Sequence, residues 1–413
     1  MAPPQDSGPF TRPVVRGVHQ KAADGRPPQA GLGLVPRALA FDDLSFLPAN
    51  LSRVVIDAYR EPCFSRVSLG ARFAARPLDL AIPVLVAPMG YGAVSAGARL
   101  AVAAATRRLG TAYGAGEGGL APGEREAAGQ IILQLGPARL GVTPASVLAA
   151  DALEIVLDSA NHGATRYTPP AKITPEVAAA WGVEPHIDLR APAAHLDFSD
   201  PDTLALKVAE LREATDHQVP IILKGGGDTA ELVRLAVGAD IDVVAIDGLS
   251  AFYPAATPAL VSNLGLPTLG ALTRAVEALR ELGREEDVDL LVMGGIRDGA
   301  DAAKCLALGA NAVAVGTGAL VALGCRACGG CPTGDCPAGL AGHGPASAAA
   351  LDPAAADGLV NYLEAMTAEI QMIARAAGKY YVQDLEPEDL RSLSITTSAM
   401  TGVALAGTEK IYR

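Results

Sequence analysis

Four of the six cysteines crowd into one run, GCRACGGCPTGDCPAG, which spaces Cys325, Cys328, Cys331 and Cys336 as C-x2-C-x2-C-x4-C. Thiolates this dense can wrap an iron–sulfur cluster, and a Cys-Pro ending such as Cys336-Pro337 also closes bacterial cluster-binding runs. Tetrahedral structural zinc is the other metal that suits such thiols. Both need reduced cysteines, so the run points to a metal site in a reducing compartment rather than to a disulfide framework. Cys63 and Cys305 stand apart and are expected to be ordinary buried thiols.

A second set of residues suits a phosphate-bearing ring. Gly294-Gly295 and Gly316-Thr317 each follow a short β-rich run, and glycines there let backbone N–H groups approach a phosphate. Lys224 ends the run VPIILK just before Gly225–Gly227, where its ammonium can stabilise negative charge on the N1–O2 side of a reduced flavin. Gln134, near the end of IILQL, can hydrogen-bond a pyrimidine edge, and Pro88-Met89-Gly90 can offer backbone contact to an isoalloxazine. Asp247, before Gly248, directly follows the further run 241–246. Singly, each residue suits an ordinary turn or strand end; together they point to flavin mononucleotide (FMN).

These residues need a scaffold that brings distant parts of the chain to one face. Short β-rich runs occur at 82–87, 110–113, 131–135, 153–157, 219–224, 241–246, 289–293 and 311–315. Helical patterns such as Asp202–Glu213, Thr229–Val237, Leu269–Leu282 and Gly299–Leu308 lie between them. Strands alternating with helices predict βαβ repetition and a parallel sheet, and eight strands close a (β/α)8 TIM barrel. An open doubly wound sheet is the rival, but no GxGxxG opens a helix after the first strand. The expected organisation is a flexible arm over 1–35, a lead-in over 36–80, the barrel over 81–324, and a cysteine segment with a C-terminal helical extension over 325–413. Within that extension a helix is expected near 354–377, and a long insertion, 158–200, should hang over the catalytic mouth.

Composition narrows the function. With Lys+Arg 33 against Asp+Glu 45 the net charge is −12, which disfavours a nucleic-acid binder or a binder of anionic membranes. Trp 1, Tyr 9 and Phe 7 leave little for an aromatic stacking surface. The N-terminal MAPPQDSGPFTRPVVRG has no apolar core of a secretory signal. Prolines and glycines divide the uncharged stretches 81–98 and 305–325 into strand, turn and helix, so neither reads as a membrane span. The expectation is a soluble cytoplasmic protein.

The motifs converge on one family. FDDLSFLPANLSR, PMGYGAVS after the first strand, GEGGL at 116–120, GGIRDGADAAKCLALGANAVAVGTGALVALGC, the cysteine run and DLEPEDLRSL together resemble the FMN-binding domain of glutamate synthases. The match is closest to the stand-alone archaeal-type proteins and to the related N-methylglutamate synthase subunit, and spans Val35 to Gly407. The resemblance implies a barrel that uses reduced FMN to reduce a carbon–nitrogen double bond, with electrons passing through an iron–sulfur cluster. It makes Cys325, Cys331 and Cys336 the ligands of a [3Fe–4S] cluster, with Cys328 an extra thiol able to complete a [4Fe–4S] cluster.

The chain also departs from that family. A glycine-rich loop with a lysine is replaced by DSANHGATRYTPP at 158–170, and a GGTGA turn by SAFYPAA at 250–256. His162, Arg166, Phe252 and Tyr253 are new groups where 2-oxoglutarate and the imine would bind. Neither an N-terminal-nucleophile glutaminase nor a separate NAD(P)H-binding domain is recognisable. Amine and electrons are therefore expected from outside, from a ferredoxin or a partner subunit, and a homo-oligomer is compatible with the chain. The expected activity is oxidoreduction at a C–N bond of an amino-acid-like or amine substrate, not ordinary glutamate synthesis. Glu117 is a candidate proton donor or ammonium anchor, and His162 and Tyr253 are candidate acids. The alternative is a non-catalytic electron-relay or scaffold subunit.

Overall fold

The computed structural model describes Ala22 and residues 40–50, 54–57, 60–158, 167–249, 258–261, 263–328, 331, 336–342, 351–352, 354–408 and 410–411. The arm expected over 1–35 lies, Ala22 apart, outside the described residues.

Eight parallel strands close a barrel in chain order. They are β1 (Val84–Val86), β2 (Ala112–Gly114), β3 (Gln130–Leu135), β4 (Ala152–Val156), β5 (Ile221–Gly225), β6 (Val243–Asp247), β7 (Asp289–Met293) and β8 (Ala312–Val315). Registers such as Val86↔Tyr113, Val315↔Val86 and Lys224↔Val156 run unbroken around the ring. The strands are covered on both faces, which explains why they read as continuous apolar runs rather than as alternating patterns.

Alternation still sorts the side chains into two cores. Leu85, Ile132, Ile222, Val243, Leu291 and their neighbours fill the barrel, while Leu133, Leu153, Ile155, Leu223, Val244 and Val292 point out to the helices. One end is closed by an antiparallel hairpin, Val67–Leu69 with Leu78–Leu80, whose apolar side chains join the inner core. Gly70 at its turn donates its N–H to Asp289 at 2.7 Å and packs against Pro220, so this plug lies at the strands' N-terminal end. The C-terminal ends are left for the site.

The outer helices begin and end where their caps dictate. Among the described residues the main ones are α1 (Ala96–Leu109), α2 (Pro201–Ala214), α3 (Thr229–Gly238), α4 (Thr268–Leu282), α5 (Gly299–Ala307), α6 (Thr317–Ala322) and α7 (Ala355–Ala376), alongside other short helices. Asp200 caps α2 by accepting the Thr203 N–H at 2.8 Å, with Pro201 at the first helical position. α4 ends at Gly283, whose φ of 61° is the left-handed conformation glycine adopts without strain. α7 buries Leu359, Leu363, Met366, Ile370 and Ala374, a three-and-four spacing that packs it on α1 and α5. The two ends of the described chain are joined: Leu44–Phe46 pairs antiparallel with Leu390–Ser392. No helix among the described residues is long and apolar enough to cross a membrane.

Candidate active site

At the open end of the barrel, inward-facing positions switch from apolar to polar. Gln134 on β3, Glu154 on β4, Lys224 on β5 and Asp247 on β6 continue the inward parity of Ile132, Ala152, Ile222 and Val243 by one further step along each strand or, on β6, two. They form a contiguous arc. Gln134 Nε2 donates to Glu154 Oε1 at 2.5 Å, and Lys224 Nζ stands 3.4 Å from Asp247 Oδ2. All four are buried. Polar groups removed from water must be matched to partners, so this arc costs stability that an all-apolar layer would not. Glu154 was not singled out in the sequence. A carboxylate inside the apolar run LEIVL, two residues before the strand ends at Val156, was the available signal.

Glycines frame the arc. A Cβ on Gly294 would lie 2.6 Å from the Gly248 carbonyl, and its φ of 121° excludes ordinary side chains. Thr268, fully buried at the start of α4, donates Oγ1–H to the Gly294 carbonyl at 2.8 Å and so ties the turn after β7 to the turn after β6. Gly295, with φ 71°, continues that turn, and Gly316-Thr317 opens α6 beside it. On the opposite side Asp158 accepts the Gly226 N–H at 2.6 Å, which anchors the glycine turn following Lys224.

Pro88, Met89 and Gly90 follow β1 and are half-buried. A Cβ on Gly90 would meet the Glu117 carbonyl at 2.4 Å, so the loops after β1 and β2 are in close backbone contact. That contact places Glu117, also half-buried, next to Pro88–Gly90. Behind it Arg99 and Glu124 form a buried ion pair at 2.7 Å, and the Tyr113 hydroxyl and the Ala121 N–H donate to the same carboxylate at 2.7 and 2.6 Å. Burial and the Glu124 carboxylate push the Tyr113 phenol far above its ordinary range, so it stays a neutral donor.

The described part of the insertion packs on these same loops. Trp181 ends a short helix, Pro175–Trp181, and joins Leu140, Ile173, Val177 and Ala178 in a small core of its own. His195, on the return path, is buried, stacks on Phe198 at 4.3 Å, and holds the Val156 carbonyl at 2.7 Å. A carbonyl only accepts, so Nε2 carries the proton there. Arg139 and Lys207 clasp Asp197 at 2.8 and 2.9 Å. Residues 159–166 and 250–257, and with them His162, Arg166, Phe252 and Tyr253, lie outside the described residues.

Cys63 and Cys305 are buried. Cys325, Cys331 and Cys336 are half-buried, Cys328 is exposed, and all four are free thiols. Burial pushes the Cys331 thiol up, and Cys325 and Cys336 add to the effect while Lys172 opposes it. Among the described residues no group of three or more His, Cys, Asp or Glu side chains is arranged to hold a metal ion. Residues 329–330 and 332–335, between the cysteines, are outside that set.

Comparison with known proteins bears on this arrangement. The family model for the conserved region in glutamate synthase matches residues 42–380. The chain belongs to the glutamate synthase family. A glutamate synthase large subunit-like protein of Rhizobium meliloti is 40% identical, over 98% of this chain and 96% of that one. The archaeal glutamate synthase (NADPH) of Methanocaldococcus jannaschii is 36% identical over 75% of this chain and 61% of its own length. This glutamate synthase family member also shares its fold with a mutant of a chimeric (S)-mandelate dehydrogenase, at TM-score 0.56 and 17% identity over 91% of this chain and 98% of that one. A mutant flavocytochrome b2 with pyruvate bound gives TM-score 0.54 at 17% identity, over 90% and 80% of the two chains. At such identity the likeness is one of fold. Membership in the glutamate synthase family makes the chain a member of an oxidoreductase family.

Proposed function

We propose that the chain is an FMN- and iron–sulfur-dependent oxidoreductase that acts on the C–N bond of an amino-acid-like or amine substrate. The observation that carries the reading is the buried arc Gln134–Glu154–Lys224–Asp247 at the catalytic end of a barrel, the end where enzymes of this fold place their chemistry. A glycine cradle beside the arc, which a Cβ at Gly294 would fill, fits a phosphate-bearing ring cofactor. When bound, FMN supplies hydride transfer to or from a carbon–nitrogen bond.

The chain's own residues supply the rest. Backbone N–H groups of Gly294, Gly295, Gly316 and Thr317 would hold the phosphate. Lys224, held near Asp247, keeps a positive charge at the mouth where the ring would lie, while Gln134 and Glu154 present a polar edge. Pro88–Gly90 offer backbone on the β1 side, and Glu117 supplies a carboxylate that can hold an ammonium or move a proton. His162 and Tyr253 are further candidate acids. Cys325, Cys331 and Cys336, uncommitted to disulfides, would carry the cluster, with Cys328 completing a four-iron form. Electrons would then come from or go to an external ferredoxin-like partner or subunit in the cytoplasm.

The rewritten loops at 158–170 and 250–256 support a substrate other than 2-oxoglutarate with ammonia. Across both loops glycines and a lysine are exchanged for Asn161, His162, Arg166, Phe252, Tyr253 and Pro254, and the aromatic exchange in the 250–256 turn sets apolar bulk near a dianion and forfeits its hydration. Arg166 can still clamp one carboxylate bidentately. Photoreduced protein mixed anaerobically with keto acids and amines is the test. The proposal requires flavin reoxidation with some amine-derived partner, and no glutamate from 2-oxoglutarate and ammonium. Rapid reoxidation with glutamate formed would overturn the substrate reading.

A further inference from the structure

The strongest structural feature that this chemistry leaves unused is Trp181, the chain's single tryptophan. It sits in the insertion between β4 and β5 and packs in the small core there, yet it also engages the barrel loops. The indole N–H donates to the Tyr91 carbonyl at 2.8 Å, on the loop after β1. The ring occupies the space of two missing side chains. A Cβ on Gly92 would lie 2.4 Å from Trp181 Cζ2, and one on Gly118 would lie 2.3 Å from Trp181 Nε1. Gly141, after β3, donates its N–H to the Trp181 carbonyl at 3.2 Å. Three barrel loops therefore meet on one residue of the insertion, and Gly118 is the immediate neighbour of Glu117.

We propose that Trp181 is a positioning residue that couples the described part of the insertion to the Glu117 turn and so holds that carboxylate in place. This rests on the proposed role of Glu117 but on a separate observation. The physical basis is close packing: an indole wedged against two glycines leaves neither side a void to move into. Both glycines have positive φ, 105° for Gly92 and 109° for Gly118, so the seat was built from backbone that ordinary side chains rarely adopt. A tryptophan needed only for the insertion's own small core would not require that geometry in the barrel loops.

Hydrogen exchange of the full chain, read by mass spectrometry, separates coupling from local packing. In Trp181→Ala, peptides covering 173–189 and those covering 90–94 and 116–120 should all exchange faster. Trp181→Phe loses the donor and the outer indole atoms that fill the seat at Gly92 and Gly118 but keeps a ring for the insertion's own core, so the insertion peptides should return close to wild type. The loop peptides should then stay raised by at least about fivefold, the effect of the lost hydrogen bond alone. Faster exchange confined to 173–189 in both variants would overturn the proposal, since the tryptophan would then serve its own core alone. If the alanine variant fails to fold, the phenylalanine variant decides by the same loop peptides. FMN release from the wild-type protein is scored separately: its absence would defeat the cofactor reading and leave the exchange comparison intact.

Discussion

Replacing Lys224 by methionine removes the ammonium that faces Asp247 and keeps a stem of similar length in the barrel. Nζ and Oδ2 are 3.4 Å apart, and side-chain exposures of 8% and 12% put the pair close to the buried limit. At that separation and an effective dielectric of about 20, the attraction is roughly 5 kcal/mol. Desolvation of the two ions offsets much of it, so the pair as a whole adds little to stability. Breaking it is different, because Asp247 is left as a carboxylate in a nearly closed site, a loss of roughly 3–5 kcal/mol. Removing both charges with Lys224→Met and Asp247→Asn should cost much less than the sum of the single variants. Urea unfolding of the flavin-free protein measures this as a double-mutant cycle, and a coupling above about 1.5 kcal/mol is expected for groups in one network. Additivity within roughly 0.5 kcal/mol would refute the reasoning, since two groups that do not sense each other cannot jointly fix the charge at the mouth.

Gly294→Val should abolish retention of FMN through purification while leaving the barrel folded, because its Cβ would collide with the Gly248 carbonyl; circular dichroism with a flavin assay checks both halves. Thr268→Val should loosen the same turn more gently, at about 1–3 kcal/mol for a carbonyl left without its donor, read from the unfolding midpoint. Cys331→Ser should lose iron, and Cys328→Ser should convert a four-iron resonance signal to a three-iron one if Cys328 is a ligand and leave the spectrum unchanged if it is not. Burial alone would raise the Asp197 carboxyl, but hydrogen bonds from Arg139 and Lys207 hold it at about 2. A folded-state pKa below the unfolded one stabilises above the unfolded value and is lost as pH falls. The contribution of Asp197 should therefore fade between about pH 4 and pH 2, and Asp197→Asn should flatten that part of the acid-stability curve.

The barrel was legible because both faces of each strand are covered, which leaves compact β-rich runs separated by helical ones. All eight runs are strands, with edges shifted by at most two residues and 289–293 unshifted. The run from Val219 shows why: Pro220 has no N–H to give the ladder, and the strand begins at Ile221. Helix ends came out well where a capping Asp or a terminal Gly marked them, as at Asp200 and Gly283. The polar arc was half legible. Lys224 and Gln134 stand at strand ends, where a polar residue after an apolar run is conspicuous. Glu154 and Thr268 matter through pairing register and through the turn after the next strand, and neither is visible in a single run of sequence. Trp181 was hidden for a related reason. Its significance lies in Gly92, Gly118 and Gly141, residues far apart in the chain that meet only when the loops after β1, β2 and β3 come together.

The central claim is that one barrel carries both a flavin and a thiolate-bound cluster. The visible spectrum of anaerobically purified protein, taken with its metal and FMN content, tests it most directly. The expected result is a brown protein with flavin bands, stoichiometric FMN released on denaturation, and iron with acid-labile sulfide lost in Cys331→Ser. A colourless protein that holds zinc at the cysteines and releases no FMN would contradict it.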